Sequence, residues 1–382
     1  MANKLVAKFK REKAFADILA ADNVVDEYLS TNCASVNLLF SGKVLGGIKK
    51  GKMSTICADS GWGKSLIGLN CLAAAYKSGM TCVVIDTENA FNVELAQSLG
   101  VDIDDILVFK TSRIPEIKQI YARINHGLTR AESREIFVLF DSWGPIVEEQ
   151  VMEKAEEASS AVNMSAAKFK NELANVINAC GNTSLIVNHV YESLQMYGEK
   201  FAVPGGKRLF FNSDAIVLAS SAAKAKDKEG NIYGKVITAG VKKGRAAKEF
   251  SKTKFLIEHS GGINPYFGLL EDAIDSGAVI KVKQGVSVVY QRVGIDEDGK
   301  TWKEADLYCA AFWIPLYKND VFNHYVEKKY AFEDTTLISS VENIMDLMNA
   351  DPAKLSTVSI GQRSTEDDSD DEDDEEPYVP EE

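Results

Sequence analysis

The sequence lacks any long apolar stretch that is free of charge, and none approaches the roughly 18 residues that a membrane-spanning helix needs. A secretory signal is missing as well, because Met1-Ala2-Asn3-Lys4-Leu5 leads directly into charged residues. The composition is that of an ordinary folded chain, with 45% hydrophobic and 26% charged residues. We therefore expect a soluble protein that stays in the cytoplasm.

Paired cysteines are also missing. The chain has six cysteines, and no two of them have CxxC spacing. Cys57 and Cys82 fall inside apolar, strand-like runs, where a reduced thiol packs as a small hydrophobic group. We expect buried free thiols, which excludes a disulfide framework and a zinc site.

Positive charge is absent from the end of the chain. From Glu366 onward there are twelve acidic residues and no Lys or Arg, so the rest of the chain is close to neutral although the formal net charge is -13. Such a tail is either a disordered segment that aids solubility or a competitor with nucleic-acid phosphates for basic loops of the body. We favour the competing tail.

Short apolar runs alternate with longer helical patterns, which is typical of a mostly parallel sheet covered by helices. The chain therefore contains an α/β core, followed by strands at Val236–Val241 and Lys254–Glu258 and by a smaller mixed region. The predicted core strands are Met53–Cys57, Thr81–Asp86, Ile106–Phe109, Ile136–Asp141, Ser184–Asn188 and Ala215–Ala219, and the predicted helices are Ser65–Ser78, Val93–Leu99, Ile114–Asn125 and Ala161–Cys180.

A nucleotide-phosphate loop lies between the first predicted strand and the first predicted helix. Gly61 and Gly63 allow successive backbone N-H groups to point into one concavity, at the positive end of the following helix. Ala58 occupies the place of the usual first glycine, and would cost about 1 to 2 kcal/mol if that position required a left-handed backbone. The residues predicted to bind phosphate and Mg²⁺ are Asp59, Ser60, Gly61, Trp62, Gly63, Lys64 and Ser65.

Two carboxylates stand at the carboxyl ends of predicted strands and converge on this loop if the strands are neighbours. Asp141 ends an apolar run and has the position of a residue that holds Mg²⁺ together with Ser65. Glu88 follows another buried strand, where a carboxylate can accept a proton from the water that attacks the γ-phosphate. The alternative for each is a surface carboxylate that caps the next helix.

Together with this loop, further segments carry a resemblance to a known family. The chain resembles the RecA family of homologous-recombination ATPases, and most closely the UvsX-type recombinases of T-even-like phages, from about Asn37 to Trp313. The matching segments are Leu39-Phe40-Ser41-Gly42, Glu88, Leu99-Gly100-Val101-Asp102-Ile103-Asp104, Asp141-Ser142, Asn188-His189-Val190-Tyr191-Glu192, Lys243-Gly244-Arg245 and Gly261-Gly262-Ile263-Asn264-Pro265-Tyr266.

The resemblance implies a RecA-like P-loop ATPase that uses ATP and Mg²⁺ and assembles on single-stranded DNA as a helical filament. The implied partners are single-stranded and double-stranded DNA, further copies of the chain, and recombination mediator and single-strand-binding proteins. If a phage encodes the chain, its compartment is the host bacterial cytoplasm.

Catalytic roles also follow from the resemblance. Lys64 and Glu88 act on the bound nucleotide, and His189 stands where the family has a polar residue that senses the γ-phosphate. Lys243 and Arg245 match the basic pair that the family inserts into the neighbouring subunit's ATP site. A solvated basic turn is the alternative for that pair. Leu95 stands where bacterial members stack a Tyr on the adenine, so base selectivity should be lower.

Two loops are implied to contact DNA. The first lies within Val147–Met164 and is acidic, which disfavours contact with phosphates. The second, Val190–Arg208, mixes aromatic and basic groups, which suits contacts to phosphates and bases without sequence readout. An ordinary surface loop is the alternative. The predicted DNA-binding residues are Tyr191, Lys200, Phe201, Lys207 and Arg208.

The predicted domain division has four parts. An N-terminal oligomerisation segment occupies residues 1–36, and Phe15–Ser35 within it is the candidate polymerisation contact. The RecA-like core occupies residues 37–268 and a small C-terminal α/β domain residues 269–350. A disordered acidic tail completes the chain at residues 351–382.

Three other functions share parts of this pattern. A hexameric DNA helicase has the same core, but it fits poorly with the Gly261–Tyr266 segment and the acidic tail. A small-molecule kinase uses a P-loop and needs an acceptor pocket that the sequence does not show. A mediator that binds DNA and uses nucleotide only as a switch, without significant turnover, is the non-enzymatic alternative.

Overall fold

The computed structural model describes residues 27–146, 160–192, 201–202, 206–227, 229–285, 287–296 and 299–332. These residues belong to one compact unit. Among the helices of these residues, none is long and apolar enough to cross a membrane.

A single large sheet organises the described residues. Its strands lie in the order β13-β12-β11-β10-β3-β7-β6-β4-β5. Neighbours from β10 to β5 are parallel, whereas β10 to β13 are antiparallel. The strand bounds are β3 Met53–Ala58, β4 Thr81–Asp86, β5 Leu107–Lys110, β6 Ile136–Asp141, β7 Thr183–His189, β10 Ala215–Lys226, β11 Ile232–Gly244, β12 Lys252–Glu258 and β13 Gly262–Ile263.

Three two-stranded sheets complete the set of strands in the described residues. Each is antiparallel. Their strands are β1 Tyr28–Leu29 with β2 Ile48–Lys49, β8 Tyr191–Glu192 with β9 Phe201–Ala202, and β14 Val279–Gln284 with β15 Ser287–Arg292.

Ten α-helices occur in the described residues. Pro115, in the first turn of the helix Ile114–Ile124, has its backbone φ fixed by the ring near the helical value. Asn92 caps the helix Val93–Ser98 by accepting a hydrogen bond from the Leu95 N-H. The helix bounds are α1 Ala34–Ser41, α2 Lys64–Lys77, α3 Val93–Ser98, α4 Ile114–Ile124, α5 Arg130–Ser133, α6 Ser160–Cys180, α7 Lys207–Asn212, α8 Leu270–Asp275, α9 Ala310–Leu316 and α10 Asp320–Tyr330.

The central strands are apolar without alternation because helices cover both faces of the parallel part of the sheet. All six residues of β3 are buried, and β6 and β7 are buried up to their last residue. One core cluster contains residues of α1, α2 and one face of the sheet, and a second contains residues of α4, α6 and the other face. The predicted α/β core with a mostly parallel sheet is confirmed.

The element boundaries agree with the sequence prediction in the core and differ beyond it. Strand β10 continues to Lys226 and β11 begins at Ile232, because the two strands pair far past the layer that the core helices cover. The residues at the outer ends of these two strands are more exposed and less apolar, so the sequence pattern did not predict them as strand. Residues 29–35 contribute buried side chains to the core, and all eight residues of α1 are buried. Residues 15–26 of the predicted polymerisation segment lie outside the described residues.

A third core cluster lies in the C-terminal part of the unit, and one ion pair is buried in it. Arg292 donates to Asp296 at 2.6 Å, and both side chains are nearly inaccessible. The guanidinium also lies 4.9 Å from the ring centroid of Trp302 and 5.4 Å from that of Phe312, and it donates to the Phe312 carbonyl. The indole N-H of Trp302 donates to Asp296. Every charge in this group therefore has a partner.

Removing one member of this pair should be strongly destabilising. We expect Asp296→Ala to lower the free energy of unfolding by about 3 to 5 kcal/mol, because Arg292 would stay buried without its counter-ion. Urea unfolding followed by tryptophan fluorescence measures the loss. Lys283→Ala, at an exposed position of β14, is the control and should change stability by no more than about 0.5 kcal/mol. Equal effects of the two substitutions would contradict the prediction.

Candidate functional site

The phosphate loop follows β3 directly and ends where α2 begins at Lys64. Gly61 and Gly63 have positive φ values of 72° and 81°, which side chains rarely adopt. A Cβ on Gly63 would also stand 2.2 Å from Ile257 Cδ1. Glycine at position 63 therefore suits the left-handed backbone turn, and a side chain there would also displace the end of the Ile257 side chain. This loop at the start of a long helix fits the phosphates of a nucleotide.

Ala58 is the last residue of β3 and pairs with His189 of β7. Among the described non-glycine residues, positive φ occurs at Asn32, Asn89 and Phe250, so Ala58 has an ordinary extended backbone. The expected penalty at this position depended on a left-handed backbone and does not arise. Alanine fits because the side chain is buried in the core cluster beneath the loop.

Lys64 is buried at the base of the loop, and its ammonium donates to the Asp59 carbonyl at 3.3 Å. Burial lowers the pKa of Lys64, while the nearby charges of Asp141, Glu88 and Asp59 act in the opposite direction. The ammonium is thus held in the loop with acceptors that a phosphate could replace.

Asp141 ends β6, and Ser65 donates a side-chain hydrogen bond to it. Burial raises the pKa of Asp141, the Ser65 hydrogen bond lowers it, and the charge of Glu88 raises it further, with a net rise. A divalent cation would favour the ionised form. A carboxylate and a hydroxyl are ligands that Mg²⁺ accepts, so this pair fits that ion.

Glu88 lies just beyond β4 and is held by the side chains of Ser142, which follows β6, and His189, which ends β7. Its Oε1 accepts hydrogen bonds from the Ser142 hydroxyl and from His189 Nε2, the latter at 3.0 Å. Burial raises the pKa of Glu88, but these hydrogen bonds and the charges of His189 and Lys64 hold the pKa below its usual value. The structure therefore joins Lys64, Glu88, Asp141 and His189 in one site.

The loop that carries Glu88 is organised by Asp86. This buried carboxylate accepts backbone hydrogen bonds from Glu88 and Ala90 at Oδ1 and from Phe91 at Oδ2. Sequence reasoning assigned Asp86 to the end of a strand and missed this role. The signal available was a charged residue at a position that should be buried, two residues before Glu88.

Thr87 and Ser142 fasten the ends of β4 and β6 to each other. The Thr87 hydroxyl donates to the Ser142 carbonyl at 2.8 Å and accepts from the Ser142 N-H at 2.9 Å. The Thr87 N-H donates to the Asp141 carbonyl. These bonds set the distance between Glu88 and Ser142, and no sequence pattern predicted them.

A second lysine also reaches the phosphate loop. Lys235, an exposed residue of β11, donates to the Gly61 carbonyl at 3.3 Å. Sequence reasoning missed it because Lys235 is 174 residues away along the chain. Leu95, the residue predicted to contact the base, lies in α3 and packs against the core cluster below the loop.

Lys243 and Arg245 lie at the end of β11 and just after it. Lys243 is half-buried and donates to the carbonyls of Phe210, Phe211 and Ser213. Arg245 is exposed, and its backbone N-H donates to the Asp214 carbonyl. The ammonium of Lys243 is therefore directed at the end of α7 within its own subunit.

The predicted DNA-binding residues are described in part. Lys207 and Arg208 are exposed in the first turn of α7. The backbones of Tyr191 and Phe201 lie in the paired strands β8 and β9. Lys200 and most of the first predicted DNA loop lie outside the described residues.

Two family models match the chain one after the other. The model described as RecA N-terminal domain matches residues 10–264. The model described as the C-terminal domain of the recombination and repair protein of bacteriophage T4 matches residues 266–326. The predicted resemblance is thereby confirmed. The division of the chain into domains at residues 36, 268 and 350 stays a prediction.

Individual relatives agree with these models. The chain is 24% identical over 382 residues to a recombination and repair protein of Enterobacteria phage T4, covering 96% of this chain and 93% of the relative. It is 28% identical to protein RecA of Chlorobaculum tepidum over 65% of this chain and 71% of the relative. It is 26% identical to protein RecA of Rhodopirellula baltica over 78% of this chain and 75% of the relative.

The role of Asp86 can be tested by removing its carboxylate. We expect Asp86→Ala to lower the free energy of unfolding by about 2 to 4 kcal/mol, since three backbone N-H groups lose their acceptor. Asp86→Asn keeps one oxygen acceptor and should lose less. Urea unfolding of both variants checks which loses more free energy of unfolding. A larger loss for Asp86→Asn than for Asp86→Ala would refute the role of the carboxylate.

Proposed function

The chain belongs to the RecA family, and we propose that it is a recombinase that promotes DNA strand exchange in recombination and repair. It would form an ATP-dependent helical filament on single-stranded DNA and pair it with homologous duplex DNA. The observation that carries this proposal is the hydrogen bond from His189 to Glu88, because it connects the proposed catalytic carboxylate to the strand that leads into the second DNA loop.

The proposed reaction is the DNA-dependent hydrolysis of ATP to ADP and phosphate. Lys64 and the N-H groups of the loop bind the β- and γ-phosphates, and Ser65 with Asp141 would hold Mg²⁺. Bound there, Mg²⁺ would neutralise charge on the phosphate oxygens. Glu88 orients the attacking water and accepts its proton, which the low pKa of Glu88 permits near neutral pH.

His189 gives the reaction its dependence on DNA. It ends β7, and Val190 begins the predicted second DNA loop. A change of backbone in that loop on binding DNA would move the imidazole relative to Glu88, with which it shares a hydrogen bond. Glu88 could then exchange His189 for a water molecule. This proposal couples DNA binding to hydrolysis through a single side-chain contact.

Arg245 and Lys243 would complete the ATP site of the neighbouring subunit. Arg245 is exposed, so it is accessible to a second copy of the chain. A cation supplied by one subunit to the next requires a head-to-tail interface, which builds a helix when it does not close into a ring. Hydrolysis then depends on assembly.

The open edge of the large sheet is a suitable acceptor for a neighbouring copy. Strand β5 is the outermost strand on its side within the described residues, and Leu107 in it is 46% exposed. A cleft of about 310 Å³ lies beside it, lined by residues of β5 and α4 that include Phe109, Ile120 and Ile124. An extended segment can pair with such an edge and place an apolar side chain in the cleft. Phe15–Ser35 stays the proposed polymerisation segment. Because Tyr28–Leu29 pairs with β2 and residues 29–35 contribute to the core of their own subunit, the part of the segment before Tyr28 would be the donor.

DNA would be bound chiefly by the second loop and the start of α7. Lys207 and Arg208 are exposed and can neutralise phosphates, and Tyr191, Lys200 and Phe201 would add aromatic and basic contacts. Single-strand-binding and mediator proteins are further proposed partners, since they act on the same single strands.

Subunit mixing tests whether the ATP site is shared. We expect Lys64→Ala and Arg245→Ala each to lower ATP hydrolysis with single-stranded DNA at least about 100-fold. Mixed in equal amounts, the two variants should regain part of the activity. A junction between them can combine the intact phosphate loop of the Arg245→Ala subunit with the intact Arg245 of its neighbour.

The controls for mixing are each variant alone at the combined concentration. Electron microscopy of the same samples shows whether helical filaments, rings or single subunits are present. A mixture that stays as inactive as its components, although filaments form, would place Arg245 in the ATP site of its own subunit.

The pH dependence of hydrolysis tests Glu88 as the base. Ser142→Ala removes a hydrogen bond that lowers the pKa of Glu88, so this pKa should rise. Because Glu88 must be ionised to accept a proton, activity should be lost at a higher pH as the solution is acidified. We expect the acid limb of the kcat profile to move to higher pH. The alkaline limb is the internal control, and an acid limb that does not move would contradict the role of Glu88.

A further inference from the structure

Helix α7 is held at its C-terminal end by Lys243. The ammonium donates to the carbonyls of Phe210, Phe211 and Ser213 at 2.7, 2.8 and 2.8 Å. An ammonium has three N-H donors, and these contacts use all of them. The position is favourable for a cation, because the last carbonyls of a helix have no partners within it and carry partial negative charge.

Asn171 of α6 holds the opposite end of the same helix. Its Oδ1 accepts from the backbone N-H of Arg208 at 2.9 Å. Gly206 comes so close to Asn171 that a Cβ there would lie 2.6 Å from Oδ1. Asn212, the last residue of α7, donates to the Ala174 carbonyl at 3.1 Å. Side chains of other elements therefore fix both ends of a helix that is only six residues long.

The position of α7 in the chain gives these contacts a functional meaning. The helix begins where the second DNA loop ends, and Lys207 and Arg208 belong to both. Helix α6 is also attached to the segment before the first DNA loop, because Lys170 donates to the Gly144 carbonyl at 2.8 Å. Lys243, in contrast, is proposed to contact the nucleotide of the neighbouring subunit.

We infer that Lys243 links the two sites by exchanging acceptors between the end of α7 and the phosphates of the neighbour's nucleotide. The inference rests on the proposed function. The three contacts of the Lys243 ammonium with the carbonyls of Phe210, Phe211 and Ser213, here called the clamp, use all three donors. The ammonium can therefore bind a phosphate oxygen only by giving up carbonyl contacts. Arg245 lies two residues away with the same charge, and a phosphate carries more negative charge than a helix end.

The consequence of this exchange concerns the second DNA loop. When the neighbour binds ATP, Lys243 leaves α7, and the C-terminal end of the helix is free to shift with the loop before it. Without nucleotide, Lys243 keeps the loop in the resting position. Lys243 is thus a positioning residue for the DNA loop in one state and a phosphate ligand in the other.

Three variants of the full chain separate these roles. Asn171→Ala loosens α7 at its other end without changing a cation. Arg245→Met removes the cation two residues after Lys243 and leaves the contacts of α7 unchanged. Lys243→Met removes the ammonium and retains most of the aliphatic chain. Two quantities are measured for each variant: amide hydrogen exchange of residues 209–213 in isolated subunits without nucleotide, and the affinity for a single-stranded oligonucleotide with and without a non-hydrolysable ATP analogue.

We expect Lys243→Met to change both the hydrogen exchange of α7 and the effect of the ATP analogue on DNA affinity. Exchange at residues 209–213 should rise about tenfold in Lys243→Met and in Asn171→Ala, and stay at the wild-type rate in Arg245→Met. The ratio of the two DNA affinities should fall about tenfold in Lys243→Met and in Arg245→Met. In Asn171→Ala both affinities should fall together and keep their ratio. A purely structural role of Lys243 would likewise leave the ratio unchanged.

Each contrary result overturns a different statement. Wild-type exchange in Lys243→Met would overturn the clamp, and a wild-type affinity ratio in that variant would overturn the exchange of acceptors. A wild-type protein whose DNA affinity is the same with and without the analogue would overturn the proposed function and the link together. The hydrogen-exchange comparison would still decide whether the clamp exists.

Discussion

The parallel register of four strands is the constraint on which the site depends. Ala58 pairs with His189, so β3 and β7 end level with each other, and Asp86 pairs with Asp141, so β4 and β6 do the same. Asp141 pairs with Val187, which places the ends of β4 and β6 only two residues before the end of β7. Residues that follow these strands therefore meet at the carboxyl edge of the sheet. A shift of one residue in any of these pairings would carry Glu88 or His189 away from the phosphate loop.

The two carboxylates at this edge have opposite surroundings. Glu88 is partly exposed and receives hydrogen bonds from Ser142 and His189, which keep it ionised. Asp141 is more enclosed and its pKa is raised, so its ionised form gains from a cation. The fold thus separates a base from a metal ligand by solvation and hydrogen bonding rather than by residue type.

The antiparallel strands of the sheet also contact the phosphate loop. Strand β12 supplies Ile257, which packs against Gly63, and β11 supplies Lys235, which binds the Gly61 carbonyl. The far end of β11 carries Lys243 to the end of α7. Contacts at the phosphate loop and contacts beside the DNA loop are consequently built on one strand, which gives the two regions a common rigid support.

The sequence by itself determined the phosphate loop, the succession of strands and helices along the chain in the core, and the family. Each of these depends on residues that are close along the chain. Those patterns also identified Glu88, Asp141 and His189. Only the tertiary structure decided which groups meet: Ser142 lies 54 residues and His189 101 residues from Glu88. Contacts across such separations depend on strand order and register, which local patterns do not encode. For the same reason, the extended backbone of Ala58 and the carbonyl partners of Lys243 became known only from the folded chain.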